Sequence, residues 1–456
     1  MKLESLTLAN FRGFDQIDLQ FESDVTVIAG VNGVGKSSIL SAIVKAMSRA
    51  LPQFTPSAEK NIGLSNTDVK ASKDSLALSV KLVSPKASVF VDLTRSSGIT
   101  TAQAEVLTKR RDELRFSMRE TKNDSAEEQE IQDEIYQIER RLAPVEDKPN
   151  VRILSTGSDN GQDEFIASLK TERAQPIAVF YSTTRLLSRL PLRLLKTKAV
   201  EIATAYDKAL EQAEVSLYDF ANWYRVLTEG NNPKRAALMF KQLEAAIKVF
   251  LPDVSGLNLH SESPPRFSVQ KNGATFYLEQ LSDGERGLLA LVFDLTRRLS
   301  IANPDSKNPI AEGIALVLID EIELHLHPKW QRDILERLKT VFPNCQFVIT
   351  THSPMVLGEV EARCVRFLEF EDGKVIRTIP AEAYGMDANR ILQEMMGAPV
   401  RNKAIEVELR SLFELIDQED FENARKKITA LTTQLGESEP ELTRANSLIT
   451  FLEGSG

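Results

Sequence analysis

Gly30-Val31-Asn32-Gly33-Val34-Gly35-Lys36-Ser37 sets glycines, a lysine and a hydroxyl at the spacing G-x-x-x-x-G-K-[ST]. That spacing is built for the phosphates of a nucleoside triphosphate. The glycines let successive backbone N–H groups turn inward, Lys36 reaches the β- and γ-oxygens, and the Ser37 hydroxyl ligates Mg²⁺. Asn32 within the loop and Ser38 just after it complete the candidate contacts. Leu316-Val317-Leu318-Ile319-Asp320-Glu321 is an apolar run ending in two carboxylates. In-line phosphoryl transfer needs an oriented water, so Asp320 is expected to hold Mg²⁺ through water and Glu321 to act as general base. His352 follows a second apolar run, Cys345-Gln346-Phe347-Val348-Ile349-Thr350-Thr351, where an imidazole either donates to a γ-phosphate or serves the fold. Finally, Leu281-Ser282-Asp283-Gly284-Glu285 carries an S-x-x-E capping box at the start of an apolar helix. A glycine-containing helix N-terminus is also an anion site, which makes Ser282 and Gly284 candidates for a second γ-phosphate cradle. One nucleotide needs two cradles only if they come from different subunits.

The elements that must position these groups are legible nearby. Residues 25–29 read as a buried strand entering the glycine loop, and 37–49 as the helix leaving it. The runs before Asp320 and His352 have the form of buried parallel strands that deliver side chains at their carboxyl ends. Leu3, Leu6 and Leu8, then Ile17, Leu19 and Phe21, alternate as paired strands require. Residues 177–181 form another strand, followed by Ser182-Thr183-Thr184-Arg185 and a stretch expected to be helical over 195–251. Asn272-Gly273 predicts a tight hairpin between 266–270 and 274–278, just before the capping box. The fold class is therefore α/β.

Two segments lie outside this frame. Residues 103–142 are charged, with Leu107, Leu114 and Met118 on one stretch and Ile131, Ile135, Ile138 and Leu142 on the next, which predicts an antiparallel helical hairpin turning at Lys122-Asn123-Asp124-Ser125. Each arm would reach only about 30 Å. Its basic arm (Lys109, Arg110, Arg111, Arg115, Arg119) and acidic arm (Glu127, Glu128, Glu130, Asp133, Glu134) suit pairing across the hairpin, with DNA or partner contact as the alternative. After Glu371-Asp372-Gly373 the pattern is expected to be helical, through 389–397 and three amphipathic helices marked by Leu409, Leu412 and Ile416, by Ala424, Ile428 and Leu431, and by Leu442, Ile449 and Leu452. They resemble one tetratricopeptide-like unit.

Composition narrows the class. The 456 residues carry a formal charge of −9, which disfavours a wholly basic nucleic-acid surface. Two widely spaced cysteines, Cys345 and Cys364, imply neither a disulfide framework nor a zinc site. The apolar runs are strand-sized, with no signal peptide or membrane span, so a cytoplasmic protein is expected. His325 and His327 lack a third ligand and are assigned to the turn after Asp320-Glu321.

L-S-x-G-E between the two nucleotide motifs resembles the signature of ATP-binding-cassette ATPases, in which the nucleotide is sandwiched between the glycine loop of one head and the signature of its twin. Asn10-Phe11-Arg12-Gly13-Phe14, Asp320-Glu321-Ile322-Glu323-Leu324-His325-Leu326-His327-Pro328 and Thr351-His352-Ser353-Pro354 narrow the resemblance to chromosome-maintenance, recombination and overcoming-lysogenization-defect ATPases. Together these strings cover most of residues 1–360. The resemblance implies ATP and Mg²⁺ as cofactors and a head with a mixed β-sheet lobe and a helical lobe. It also implies a homodimer closed on ATP, with a higher oligomer as the alternative. Gly30, Asn32, Gly33, Gly35, Lys36, Ser37 and Ser38 would bind ATP, Ser37 and Asp320 would hold the metal, and Glu321 and His352 would be catalytic. Ser282, Gly284 and Glu285 would act from the partner head, and Arg12 would approach the nucleotide. The glutamine loop of such heads has no match here. The implied domains are 1–100, the first part of the head; 101–145, the short coiled-coil insertion; 146–383, the rest of the head; and 384–456, a helical domain.

After His352 the sequence has no D-x-D pair and no H-N-H spacing, so no nuclease domain is expected in this chain. The short insertion, residues 385–397 and the helical ending look most like the ATPase subunit of Septu anti-phage defence systems, which implies control of a separate H-N-H endonuclease. The alternative is a stand-alone DNA-repair ATPase that clamps DNA.

Overall fold

The computed structural model describes residues 1–454 except 72, 97–100, 121–130, 139–144, 147–148, 156–161, 194–196, 198, 212–213 and 261. It divides into two compact units, Met1–Asp387 and Ala388–Gly456.

The larger unit is organised on a six-stranded sheet. From one edge it runs Lys374–Thr378, Val365–Glu371, Val25–Gly30, Gln346–Thr351, Ala315–Ile319 and Ile177–Tyr181. All neighbours are parallel except the first pair, a hairpin. Ile177–Tyr181, Ala315–Ile319, Val25–Gly30 and Gln346–Thr351 are buried at every residue, as strands covered on both faces must be. Their carboxyl ends therefore bring the glycine loop, Asp320-Glu321 and His352 to one edge of the sheet, where open α/β sheets bind ligands.

A second, antiparallel sheet runs Gln16–Gln20, Lys2–Ala9, Ser75–Val83 and Ala87–Ser96, with Val145–Glu146 and Asn150–Ser155 both paired to Ala87–Ser96. The helix Lys36–Phe54 touches strands of both sheets, which explains why residues all around it, from Ile39, Leu40 and Ile43 to Met47 and Phe54, are buried. A third sheet of Val254–His260, Arg266–Lys271 and Ala274–Tyr277 closes on the helices Leu217–Glu229, Pro233–Phe250 and Asp283–Ala302. Phe220 stacks on Phe293 at 4.2 Å, and Phe267 packs against Phe220 at 5.4 Å. The Asn272-Gly273 turn has φ 50° and 80°, the left-handed pair that a two-residue hairpin requires.

Two expectations need correction. Residues 202–211 and 214–216 are not α-helical: a 3₁₀ turn, Ile202–Ala205, is followed by turns, and 214–216 are extended chain. Tertiary contacts take their backbone groups, since Arg298 donates to the Ala205 and Asp207 carbonyls and Val215 N–H donates to the Leu186 carbonyl. Nor does the helical part begin directly after Gly373; it starts at Ala388. Asp372 and Gly373, at φ 48° and 74°, turn Val365–Glu371 back into Lys374–Thr378.

In the hairpin insertion, Leu114, Ile135 and Ile138 form a small core between Thr101–Glu120 and a helix over 131–138, and Arg110 pairs with Glu134 at 3.1 Å. The expected turn at 122–125 lies outside the described residues. The smaller unit opens with a short α-helical turn, Ala388–Arg390, that runs into a π-helical turn, Ile391–Met395, in which Met396 N–H reaches the Ile391 carbonyl at 3.1 Å. Three helices follow, Lys403–Asp417, Phe421–Leu435 and Pro440–Gly454, around Leu409, Leu412, Ile416, Ile428, Leu431 and Ile449. Asn402 and Asp420 cap the first two by accepting backbone N–H groups.

Candidate nucleotide-hydrolysis site

The glycine loop holds conformations that demand its glycines. Gly30, Gly33 and Gly35 have φ 143°, 80° and 101°. A Cβ at Gly30 would lie 2.2 Å from the Leu368 carbonyl oxygen, and one at Gly35 would lie 2.7 Å from the Phe14 ring. Lys36 bridges the loop, donating from Nζ to the Gly30 and Val31 carbonyls at 2.9 Å each. Burial pushes its ammonium down to about 8, against the pull of Glu321, Glu323 and Asp320. Asn32, Gly33 and the loop's Val31 are exposed at its crest, open to a ligand.

Ser37 and Asp320 are 283 residues apart, yet the Ser37 hydroxyl donates to Asp320 Oδ1 at 3.0 Å. Thr350 donates to the same oxygen at 2.5 Å. Glu321 sits in a left-handed turn, φ 47°, with its N–H held by Thr350 Oγ1 at 2.8 Å. The Ile322 N–H donates to the Thr350 carbonyl at 3.1 Å. The third acid, Glu323, accepts from the Thr351 hydroxyl at 2.8 Å and from the His352 backbone N–H. It thereby fixes the turn that carries the half-buried His352, whose imidazole is lowered by burial and by the Lys36 charge. Arg185, 7% exposed, donates to the carbonyls of Ser182, Asp320, Glu321 and Ile322. Burial lowers its guanidinium to about 10, so it is cationic at neutral pH.

Ser282 caps the helix Asp283–Ala302 in the expected box: its hydroxyl donates to Glu285 Oε2 at 2.8 Å, and its N–H donates to the same oxygen at 3.0 Å. Ser282 is exposed, whereas Gly284 and Glu285 are buried within their own chain. Glu285 pairs with Lys271 at 2.6 Å, and a Cβ on Gly284 would lie 2.4 Å from the His325 carbonyl oxygen. The signature therefore rests on the turn after Asp320-Glu321, where His325 has φ 63°. His327 caps the helix Pro328–Val341, its Nδ1 accepting from Lys329 N–H at 3.2 Å. Among the described residues no group of three or more His, Cys, Asp or Glu could hold a metal by itself.

Arg12 lies beside the first turn of the phosphate-loop helix, at φ 50°. Its guanidinium is 2.9 Å from fully buried Asp68 and donates to Ser41 Oγ at 3.0 Å and Ser38 Oγ at 3.5 Å. Arg185, Glu323 and Thr350 were given no role from sequence. Their partners, the backbone carbonyls and N–H groups and the Asp320 and Thr351 side chains, lie on neighbouring segments that no local string encodes, although Glu323 stands inside the D-E-x-E string.

A phosphate loop on one buried parallel strand, paired acids two strands away and a capped signature helix before them define an ABC-type ATPase head of the chromosome-maintenance and Rad50-like class. The chain belongs to the family described as AAA domain, putative AbiEii toxin, Type IV TA system, which matches residues 25–358. It is 26% identical to the Retron Ec83 probable ATPase of Escherichia coli over 97% of this chain and 85% of that protein. It is 28% identical to the Retron Vc95 probable ATPase of Vibrio cholerae over 87% of this chain and 79% of that protein. The Septu protein PtuA of Bacillus thuringiensis is 25% identical over 50% of this chain and 60% of its own length. The solved SmcHead bound to the C-winged helix domain of ScpA superposes with a TM-score of 0.42 at 12% identity, over 83% of this chain and 98% of that one.

Proposed function

We propose that this ATPase hydrolyses Mg-ATP in two composite sites of a two-fold dimer and serves an anti-phage defence complex as its regulatory subunit. The observation that carries the chemistry is the Ser37–Asp320 hydrogen bond of 3.0 Å. A hydroxyl and a carboxylate at that separation, with glycines turned to present backbone N–H groups, fit a triphosphate with its magnesium ion. The metal supplies charge neutralisation at the transferring phosphoryl group. The residues do the rest. Lys36 exchanges its loop carbonyls for phosphate oxygens, Asp320 orients the hydroxyl of Ser37, Glu321 takes a proton from the attacking water, and His352 donates to the γ-phosphate. Arg12, at the first turn of the same helix, contacts the nucleotide. Ser282 and the N–H groups at Gly284 complete the site from the other head, with Glu285 holding that helix start in shape.

The defence role is supported by the named relatives, two retron ATPases and a Septu protein, which this chain matches well beyond the nucleotide motifs. In this reading the partner is a separate H-N-H endonuclease in the cytoplasm, the domains fall at 1–100, 101–145, 146–383 and 384–456, and the last recruits the partner. No described helix is long and apolar enough to cross a membrane. The test is mass-resolved size-exclusion of the Glu321→Gln protein coexpressed with its genomic neighbour, with and without Mg-ATP. A nuclease in the peak supports the defence complex. Its absence, with ATP-driven DNA binding by the chain alone, would replace this reading with a repair clamp.

A further inference from the structure

Glu321 can act as a base only if its turn is held, and that turn is unfavourable by itself. A non-glycine residue at φ 47° lies in the left-handed region, where an L side chain crowds its own carbonyl. Such conformations persist where the surroundings over-determine them. Here the backbone of Glu321 is gripped from both neighbouring strands. From the side of Gln346–Thr351, Thr350 Oγ1 accepts its N–H at 2.8 Å. From the side of Ile177–Tyr181, Arg185 donates to its carbonyl at 2.8 Å.

Arg185 does more than hold one carbonyl. One terminal nitrogen spans the Ser182 and Asp320 carbonyls at 3.2 and 2.6 Å, and the other spans those of Glu321 and Ile322 at 2.8 and 3.2 Å. The planar fork thus gathers three successive carbonyls at the end of the Asp320 strand and ties them to the turn after its neighbour. A lysine ammonium is a compact point donor and cannot span four carbonyls in this way. None of the contacts of Arg185 is to the phosphate loop, so its influence falls on the hydrolytic acids. We propose that Arg185 is a positioning residue for hydrolysis, fixing the left-handed turn that aims Glu321 at the attacking water. The proposal rests on the reading of Glu321 as the base.

The test is a kinetic cycle on the full chain with Arg185→Lys, Glu321→Gln and the double variant, measuring kcat, KM and equilibrium Mg-ATP binding. Misplacing a catalytic group by about an ångström loses up to ~100-fold in rate, so Arg185→Lys is expected to lower kcat by at least ~10-fold while the Kd for Mg-ATP stays within about threefold. In the Glu321→Gln background the same change should alter kcat by less than about twofold, because the group it positions is already gone. Full kcat in Arg185→Lys, a parallel loss of binding, or an undiminished loss in the Glu321→Gln background would overturn the assignment. A wild-type rate in Glu321→Gln alone would instead remove the base reading on which it rests. If Arg185→Lys does not fold, Arg185→Gln, which keeps two N–H donors, takes its place under the same criteria. Failure of both to fold would mean that the guanidinium serves the fold as a whole, and would overturn the narrower role.

Discussion

At the scale of single residues, the site depends on a few atoms whose neighbours leave little freedom. Glu321→Gln keeps the shape of the turn but removes the proton acceptor, so phosphate release should fall by roughly 10²–10⁴-fold with Mg-ATP binding intact. Steady-state turnover and equilibrium binding on one preparation check both halves. Gly35→Ala is predicted to remove nucleotide binding, because the new Cβ meets the Phe14 ring at 2.7 Å in a backbone conformation that alanine disfavours; retained binding of a fluorescent ATP analogue would contradict this. Glu59 offers a pH test away from the nucleotide. Its carboxyl accepts the Leu210 N–H at 2.8 Å, and burial raises it to about 7, against the pull of Arg298. A carboxyl raised in the folded state binds its proton more tightly there than in the unfolded chain. Its contribution is therefore present below the ordinary carboxylate range and is lost as pH rises through about 7. Glu59→Gln should raise Tm at pH 8 and leave it nearly unchanged at pH 4, as read by thermal scans.

At the scale of elements, two glycines of one helix make opposite predictions. Gly284 packs against the His325 carbonyl, so Gly284→Ala must push the signature off the turn it rests on, and both Tm and turnover should drop. Gly287, one turn further on, has nothing within 4 Å of an added Cβ, and Gly287→Ala should stabilise the head by roughly 0.5–1 kcal/mol through helix propensity. A pair of melting curves separates close approach from helix preference. The same scale shows what sequence can reveal. The glycine loop, the acids and the capping box are short strings whose local geometry is their chemistry, so they were legible, as was the alternation of Leu3, Leu6 and Leu8. The turns over 202–211 were not, because Arg298 claims the Ala205 and Asp207 carbonyls from a helix about ninety residues away. The Asp372-Gly373 hairpin carried its D-G turn signal in plain view, but the strand after it, Lys374–Thr378, is short, charged at its start and at the sheet edge, and so lacks a buried-strand pattern. Arg185 stayed silent for a related reason: an arginine that serves carbonyls looks, in sequence, like any surface arginine.

At the scale of the whole molecule, the smaller unit Ala388–Gly456 has its own core of Leu409, Leu412, Ile428 and Ile449. A chain ending at Asp387 is therefore expected to retain ATP turnover while losing the nuclease partner proposed above; turnover lost with the truncation would place residues 388–456 in the catalytic unit instead. Ser282 is exposed at a helix start rather than turned into its own chain's core, as the proposed site completed by a second copy requires. The direct test is analytical ultracentrifugation of the isolated 50.9 kDa Glu321→Gln chain with and without Mg-ATP, alongside the same protein carrying Ser282→Arg. Mg-ATP is expected to double the mass of Glu321→Gln and to leave the Ser282→Arg form, which still binds ATP, unchanged. A Glu321→Gln chain that binds Mg-ATP and keeps its mass, or a Ser282→Arg form that doubles as readily, would contradict the composite site.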